Sequence, residues 1–467
     1  MLFIDGDWLD DGDERPVHDR WTGDRIGAVR LGTAEHAAQA VDAAAGALRT
    51  GLPVPERARV LAETAGLVTE RAAEFAALVT AETGKPIAAS RAELARAAQT
   101  LGFAAAEARR ITGEGVALDA VPAGAGTIAL TIPEPRGVVA AVTPFNFPVN
   151  LVLHKVAPAI AAGCPVVLKP SEKAVLPAAA LVRAFTDAGL PPGWLNLVCG
   201  EPAEVVDAWL ADDRVAVLNF TGSSRVGWQL KARSPRKLHI LELGSATAMV
   251  VTDHADLDRA AADAVTAALG NSGQACVSLQ RLYVTAGVHD AFVQRLTTAF
   301  REVRHGDPGD PGTVVGPMIT ESATAALAKT IADAVSAGAT VLAGGEVVDG
   351  VLPPTLLAGV DPEAAVVCEE AFGPVLTVLP VADLEAAIAA VNASRYGLNT
   401  AVHTADLAEA MTFARRAQSG TVLVNMPPSF RADHMPYGGV KESGQGTEGV
   451  GYAVREMQHH KLVAFHG

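Results

Sequence analysis

The sequence predicts an α/β fold in which a parallel, doubly wound sheet is followed by a second α/β segment. Short apolar runs at 138–142, 166–169, 195–198, 215–220 and 238–243 are mostly separated by helical runs of about a dozen residues, the pattern of a sheet built from strand–helix–strand units. A hydrophobic content of 49%, a charged content of 19% and 44 glycines suit a globular Ala/Gly-rich chain and not a disordered one. The 467 residues leave room for about two to four domains with a cleft between them.

Taken in order, the stretch to about Gly32 is acidic and turn-rich, with Ile4 and Trp8 reading as an edge strand. Thr33 can cap a helix running to about Leu48, because its hydroxyl can accept from the free amides of a first turn. Pro55 opens a longer helix with Leu61, Val68, Ala72, Phe75 and Val79 at helical spacing, and Thr83-Gly84-Lys85-Pro86 stops it. A third helix runs from about Ser90 to Ile111. Residues 113–136 carry Gly and Pro punctuation around the apolar run 127–132, which reads as a β-hairpin leaving the domain surface. After Ala246 come strands at 248–251, 281–285, 375–381 and 421–425, helices around Asp256, His289, Ser322, Asp383 and Asp406, and a short strand at 459–463.

The net charge of −15 argues against a nucleic-acid partner and against an anionic membrane surface. An anionic substrate would need a locally basic pocket. Cys164, Cys199, Cys276 and Cys368 lie far apart with no CxxC, so neither a disulfide framework nor a metal site is expected, and the histidines show no ligand spacing. The first residues lack a basic stretch followed by an apolar core, and no apolar run is long enough to span a bilayer, so the expected compartment is the cytoplasm.

Doubly wound sheets bind ligands beyond the carboxyl ends of their strands. The ends here are Thr143-Pro144-Phe145-Asn146, Lys169-Pro170-Ser171-Glu172, Thr221-Gly222-Ser223-Ser224 and Glu242-Leu243-Gly244-Ser245, all polar and turn-forming. Lys169 can meet ribose hydroxyls or a phosphate and Glu172 a ribose diol, although a solvated Lys-Glu turn would read the same. The glycines at 222 and 227 could bring helix-opening amides to a pyrophosphate, or could simply serve a tight turn. Asn146, held between two Phe and two Pro residues, is a rigid amide donor suited to an oxyanion, or an Asn turn between core aromatics. Glu242 between leucines would resist ionisation, as a general base near neutral pH should, or be a buried carboxylate satisfied by amides. Cys276, in the loop Asn271-Ser272-Gly273-Gln274-Ala275-Cys276-Val277-Ser278, is a nucleophile or a small buried hydrophobe. Together they place a nucleophile, an oxyanion donor, a base and a nucleotide cradle on one face of a sheet.

Over nearly its whole length the chain resembles the aldehyde dehydrogenase family. The matching motifs occur in the family's order: Pro144-Phe145-Asn146-Phe147-Pro148, Lys169-Pro170-Ser171-Glu172, Phe220-Thr221-Gly222-Ser223, Glu242-Leu243-Gly244, Gly273-Gln274-Ala275-Cys276, Glu370-Ala371-Phe372-Gly373-Pro374 and the run from Pro436 to Gly444. The resemblance implies an aldehyde dehydrogenase-like fold: a Rossmann-type dinucleotide-binding domain (1–114 and 137–244), an α/β catalytic domain (245–440) and oligomerisation elements (115–136 and 441–467). It implies that Cys276 attacks an aldehyde, that Asn146 and the Cys276 amide hold the oxyanion, and that Glu242 activates the water that hydrolyses a thioester; Glu448 matches a proton-relay carboxylate. NAD is the implied cofactor, with NADP possible. Lys169 and Glu172 would hold the adenosine ribose, Ser223 the pyrophosphate, and Glu370 with Phe372 the nicotinamide end. Thr143, Phe145, Ser171, Gly222, Leu243 and Gly244 complete the cofactor set. A homodimer or homotetramer is implied, in which the hairpin and the last strand extend a neighbour's sheet.

Three positions depart from the family pattern: Ser245, where a second glycine is common, Thr447, where Arg is common, and Ala275, where some relatives of anionic-substrate type carry Arg. His154, Phe430 and Arg431 resemble the substrate positions of the lactaldehyde and phosphonoacetaldehyde dehydrogenase branch, and Arg offers a bidentate fork to an anion. A short polar or anionic aldehyde is therefore expected. Two rival functions remain at this stage: a CoA-acylating semialdehyde dehydrogenase, against which Glu242 speaks, and a catalytically silent dinucleotide-binding homologue.

Overall fold

The computed structural model describes residues 1–466 and contains two large sheets, one three-stranded sheet and a two-stranded pair. In the first, the strands run in the spatial order Leu238–Glu242, Val215–Thr221, Val138–Val142, Val166–Lys169, Leu195–Val198, all parallel. Connections leave the central strand, Val138–Val142, in both directions, so the order reverses there and opens a crevice at its carboxyl end. Register aligns the strand ends: Lys169 lies opposite Val142, Val142 opposite Phe220, and Glu242 opposite Thr221. Leu2–Ile4 and Asp7–Leu9 extend one edge antiparallel.

Helix Asn150–Ala162 packs beneath the sheet with every residue buried, including His154 and Lys155. Its first amides, Val149 N–H at 2.9 Å and Asn150 N–H at 3.0 Å, donate to the Glu93 carboxylate. Negative charge at a helix N-terminus is favourable, which explains a buried acid there. The long helix expected from Pro55 breaks into Val54–Glu70 and Ala72–Thr83, because Arg71 leaves helical geometry at ψ 14°. The next helix is Ile87–Ala108.

The second sheet has the order Thr340–Ala343, Thr355–Ala358, Val375–Val381, Leu279–Thr285, Thr247–Val251, Asn399–His403, Thr421–Val424, parallel except at its first pair. Strand Asn399–His403 escaped the sequence reading because its polar residues and His403 hide a wholly buried run. The region 113–136 is not a simple hairpin: Gly115–Val116 and Thr127–Pro135 pair, but two 3-10 turns lie between them, and Gln458–His466 adds a third strand. Residues 441–457 divide from that small sheet. Gly444–Gln445 adds an antiparallel edge to Leu238–Glu242, and helix Val450–Glu456 packs on the Asn150–Ala162 and Ile87–Ala108 helices.

Candidate active site

The nucleophile loop is set by backbone conformation. Asn271 (φ 53°), Ser272 (φ 55°) and Gly273 (φ 70°) are consecutive left-handed residues between helix Leu257–Leu269 and strand Leu279–Thr285. Such residues are strained unless over-determined by neighbours. Here Asn271 Nδ2 donates to the carbonyls of Asn146 and Gln274, both at 3.1 Å, and Ser272 Oγ accepts from Gly316 N–H at 2.9 Å. At Gly273 a Cβ would lie 2.1 Å from the Gly373 carbonyl oxygen, so glycine alone fits.

Cys276 is half-buried, its Sγ 3.2 Å from the Tyr437 hydroxyl. Burial pushes its thiol up to about 11, with Glu242 and Glu370 adding to the rise and Tyr437 and Arg431 opposing it. Asn146 Nδ2 donates to the Gln274 carbonyl at 2.9 Å, which fixes the amide against the loop and leaves its second N–H free; its Oδ1 is buried without a partner. Lys85 fixes Asn146 from the other side, donating to its carbonyl at 2.9 Å and to Glu93 at 2.6 Å.

Glu242 ends its strand with both carboxyl oxygens buried and unpartnered, so the amide-satisfied alternative does not hold. Burial raises its pKa well above the ordinary value, and the charge of Glu448 raises it further against Arg431 and Lys155. Glu448 has the opposite fate. Burial works against its charge, but Lys155 Nζ at 2.8 Å and Arg431 Nη2 at 2.9 Å hold it at about 2.

Arg431 stacks on the Tyr437 ring, its guanidinium carbon 3.8 Å from the ring centroid. One aromatic ring thus separates this cation from the thiol. Its Nε is buried and unpartnered. Asp433 does not neutralise it: that carboxylate takes a two-pronged bond from Arg96 (3.0 and 2.6 Å), with Asn150 Nδ2 and His154 Nε2 also on it. His154 is fully buried between Arg431 and Asp433, and burial and Arg431 hold its pKa down, so it is a neutral support for Arg431 and not a second cation. Phe430 is exposed beside them.

On the cofactor side, the Glu242-Leu243-Gly244 turn is tied down by Ser443, whose carbonyl accepts from Leu243 N–H at 2.9 Å and whose hydroxyl donates to the Gly244 carbonyl at 2.8 Å. A Cβ on Gly244 would meet Glu370 Oε2 at 2.7 Å, and Glu370 Oε1 accepts from Ser245 N–H at 3.0 Å. Burial raises Glu370 to about 7. Phe372, at φ 47°, sets its ring edge-on to Phe145 with centroids 5.9 Å apart. The Ser245 hydroxyl turns to Thr247 Oγ1 at 3.3 Å. Ser223 caps helix Ser224–Arg233, and Gly227 lets that helix approach Leu243, where a Cβ would come within 2.3 Å. Lys169 is buried, and its one hydrogen bond among the described residues is a long 3.5 Å contact to the Pro170 carbonyl. Ser171 Oγ accepts from Lys173 N–H at 3.2 Å and shapes the turn. Glu172 is found elsewhere than expected: its carboxylate is on the surface, paired with Arg15 at 3.1 Å.

A dinucleotide fits this cradle. Buried hydroxyls of Thr143, Thr221 and Ser224 have no partner among the described residues, Lys169 makes no ion pair among them, and glycines keep the helix and strand ends open to close approach. Sequence reasoning assigned no role to Tyr437, Lys155 or Arg15, and paired Asp433 with Arg431 where the fold gives it to Arg96 and His154. Tyr437 lay within a quoted motif, and Lys155 was a lysine inside an otherwise apolar helix.

This fold and constellation define an aldehyde-oxidising, dinucleotide-dependent class of enzyme. The sequence profile of the aldehyde dehydrogenase family matches residues 8–463, and the chain belongs to that family. It is 38% identical over 462 residues to 3-sulfolactaldehyde dehydrogenase of Priestia megaterium, covering 99% of this chain and 97% of that one. Its structure is similar to that of an NADP dependent enzyme of E. coli (TM-score 0.96, 34% identity, 100% of this chain and 98% of that one). It is equally similar to an NAD-dependent aldehyde dehydrogenase of Sinorhizobium meliloti (TM-score 0.96, 34% identity, 100% and 94% covered). The protein is a nicotinamide-dinucleotide-dependent oxidoreductase acting on aldehydes.

Proposed function

We propose that this enzyme oxidises a short anionic aldehyde to its carboxylic acid through a covalent adduct on Cys276. The carrying observation is the placement of Arg431: a permanent cation with a free, buried Nε–H, one tyrosine ring from the nucleophile. That spacing suits an anionic group only a few bonds from the carbonyl. The relative whose printed substrate is 3-sulfolactaldehyde, a short anionic aldehyde, supports the same reading.

In this mechanism the Cys276 sulfur passes its proton to solvent and adds to the carbonyl carbon, and the carbonyl oxygen becomes an oxyanion. The free N–H of Asn146 and the Cys276 amide, which no carbonyl takes among the described residues, receive it. A nicotinamide held beside Glu370 and Phe372 would supply the hydride acceptor, and the hydride given up by the adduct would leave a thioester on Cys276. Glu242, once ionised, takes a proton from water, hydroxide equivalent adds to the thioester, and the carboxylic acid leaves as the thiol re-forms. Glu448 stays ionised, and its role is to hold Arg431 and Lys155 and to keep Glu242 protonated until needed. Lys169, Ser171, Ser223, Glu370 and Phe372 would hold the dinucleotide, with Thr143, Phe145, Gly222, Leu243 and Gly244 shaping its bed. The small three-stranded sheet exposes Ile128, Leu130, Ile132, Leu462 and Phe465, a patch suited to joining copies of this chain as a homodimer or homotetramer in the cytoplasm.

The test is kcat/KM by NADH formation over sulfolactaldehyde, phosphonoacetaldehyde, lactaldehyde and hexanal, with and without CoA. A preference for the anionic aldehydes of about 100-fold over hexanal is expected from one desolvated charge pair. Preference for hexanal overturns the substrate class, and a CoA-dependent rate with thioester product overturns hydrolysis by Glu242.

A further inference from the structure

Arg15 lies far from the catalytic cysteine, yet it touches the turn that meets the adenosine ribose. It sits in strand Glu14–His18, paired with Arg25–Arg30 in a two-stranded hairpin. That hairpin is seated on the helix that follows the Lys169–Glu172 turn: Gly27 lies where a Cβ would meet Leu176 Cδ1 at 3.1 Å, and Val17 and Val29 are buried in the same core as Leu176. The loop beyond it is anchored too, since Arg20 N–H donates to the Ala81 carbonyl at 2.7 Å and Arg20 Nε to the Met318 carbonyl at 2.8 Å. Arg15 is therefore presented by a fixed scaffold.

From there it grips Glu172 twice, Nη1 to Oε2 at 3.1 Å and Nη2 to the backbone carbonyl at 3.2 Å. A cavity of about 540 Å³ lined by Arg15, Arg20, Trp21, Glu82, Glu172 and Lys173 lies on this side, so the carboxylate has room to remain on it. The other nearby acid, Glu82, is not free to compete. Its two oxygens accept the Val175 and Leu176 amides at 2.8 and 2.9 Å. On the cradle side is a buried Lys169 ammonium whose one hydrogen bond among the described residues is the long contact to Pro170, while the Glu172 carboxylate bonds to Arg15.

A carboxylate at this turn favours a ribose with a free 2′-hydroxyl, by accepting from the diol, and repels a 2′-phosphate. We propose that Arg15 is a positioning residue for cofactor preference: by holding Glu172 outside the ribose site it lowers discrimination against the 2′-phosphate, so that the chain binds NADP as well as NAD. The inference rests on the assignment of the Lys169–Glu172 turn to the adenosine ribose.

Calorimetric titration of the full chain with NAD+ and with NADP+, without aldehyde, tests it. Arg15→Ala frees Glu172, and the NADP+ Kd should rise about fivefold relative to the NAD+ Kd, the range set by a half-exposed ion pair. Arg15→Lys should restore most of the wild-type ratio. In a Glu172→Gln background, Arg15→Ala should leave the ratio unchanged, because nothing remains to be positioned. An unchanged ratio in Arg15→Ala alone, a parallel loss for both cofactors, or an effect that persists undiminished with Glu172→Gln overturns the role. Lys169→Ala separates this failure from failure of the site: if neither cofactor's affinity moves, the ribose assignment itself falls, and the Arg15 proposal with it.

Discussion

Glu242 and Glu448 are both wholly buried carboxyls at one site, yet their surroundings drive them apart. Glu448 has two cations on it that hold its pKa at about 2, while Glu242 has no hydrogen-bond partner among the described residues and burial raises its pKa well above the ordinary carboxylate range. An acid whose pKa is raised gains its base form as pH rises, so the hydrolytic step should accelerate with pH, about tenfold per unit, until Glu242 is fully ionised. Glu448→Gln removes the charge that disfavours this ionisation and leaves Lys155 and Arg431 to favour it. The rising limb of a kcat–pH profile should then move to lower pH; an unmoved limb would show that Glu448 has no hold on Glu242. The same substitution breaks a buried ion pair and should cost about 3 kcal/mol of stability in denaturant titration. The wild-type contribution of Glu448 is present above the ordinary carboxylate range and is lost as pH falls toward 2, since its folded pKa is depressed.

At the scale of elements, the loop carrying Cys276 is held by three left-handed residues in succession. Gly273→Ala would force a Cβ against the Gly373 carbonyl oxygen at a φ of 70°, so loop and neighbour cannot both keep their places. A loss of about 2 kcal/mol is expected, from strain and overpacking. The displaced thiol should lower kcat more than it weakens cofactor binding, because the adenosine end of the proposed cradle, at Lys169 and Ser223, is built on the other sheet. Equal losses in kcat and in NAD+ affinity by calorimetry would contradict this division. Ser443 closes the Glu242–Gly244 turn with two hydrogen bonds, which fixes the end of the strand that carries Glu242.

For the whole molecule, the strand Gln458–His466 lies antiparallel on Thr127–Pro135, remote in sequence, and the pair exposes Ile128 (72%) and Phe465 (59%) on one face and Leu462 (51%) on the other. This exposed apolar surface is the one proposed above to join copies of the chain. Leu462→Glu with Phe465→Glu should reduce the mass measured by light scattering after size exclusion; an unchanged mass would mean that copies join elsewhere. The parallel strands of the first sheet and the strand-end motifs were legible in the sequence because strand, turn and helix signals are local. Cys276, Asn146 and Glu242 stood out there as candidates, each in a short motif at a strand end or loop. The sequence did not tell that Glu448 meets Lys155 across 293 residues, or Glu172 meets Arg15 across 157. It also read His154 as an anion contact, where the fold makes it a buried neutral support. Short-range patterns of apolar spacing, glycine and turn chemistry by themselves determined which residues stand at the strand ends. Which charges are paired, which carboxyl keeps its proton and which way Glu172 points were decided only by tertiary structure, because desolvation and Coulomb energy depend on distances that folding alone sets.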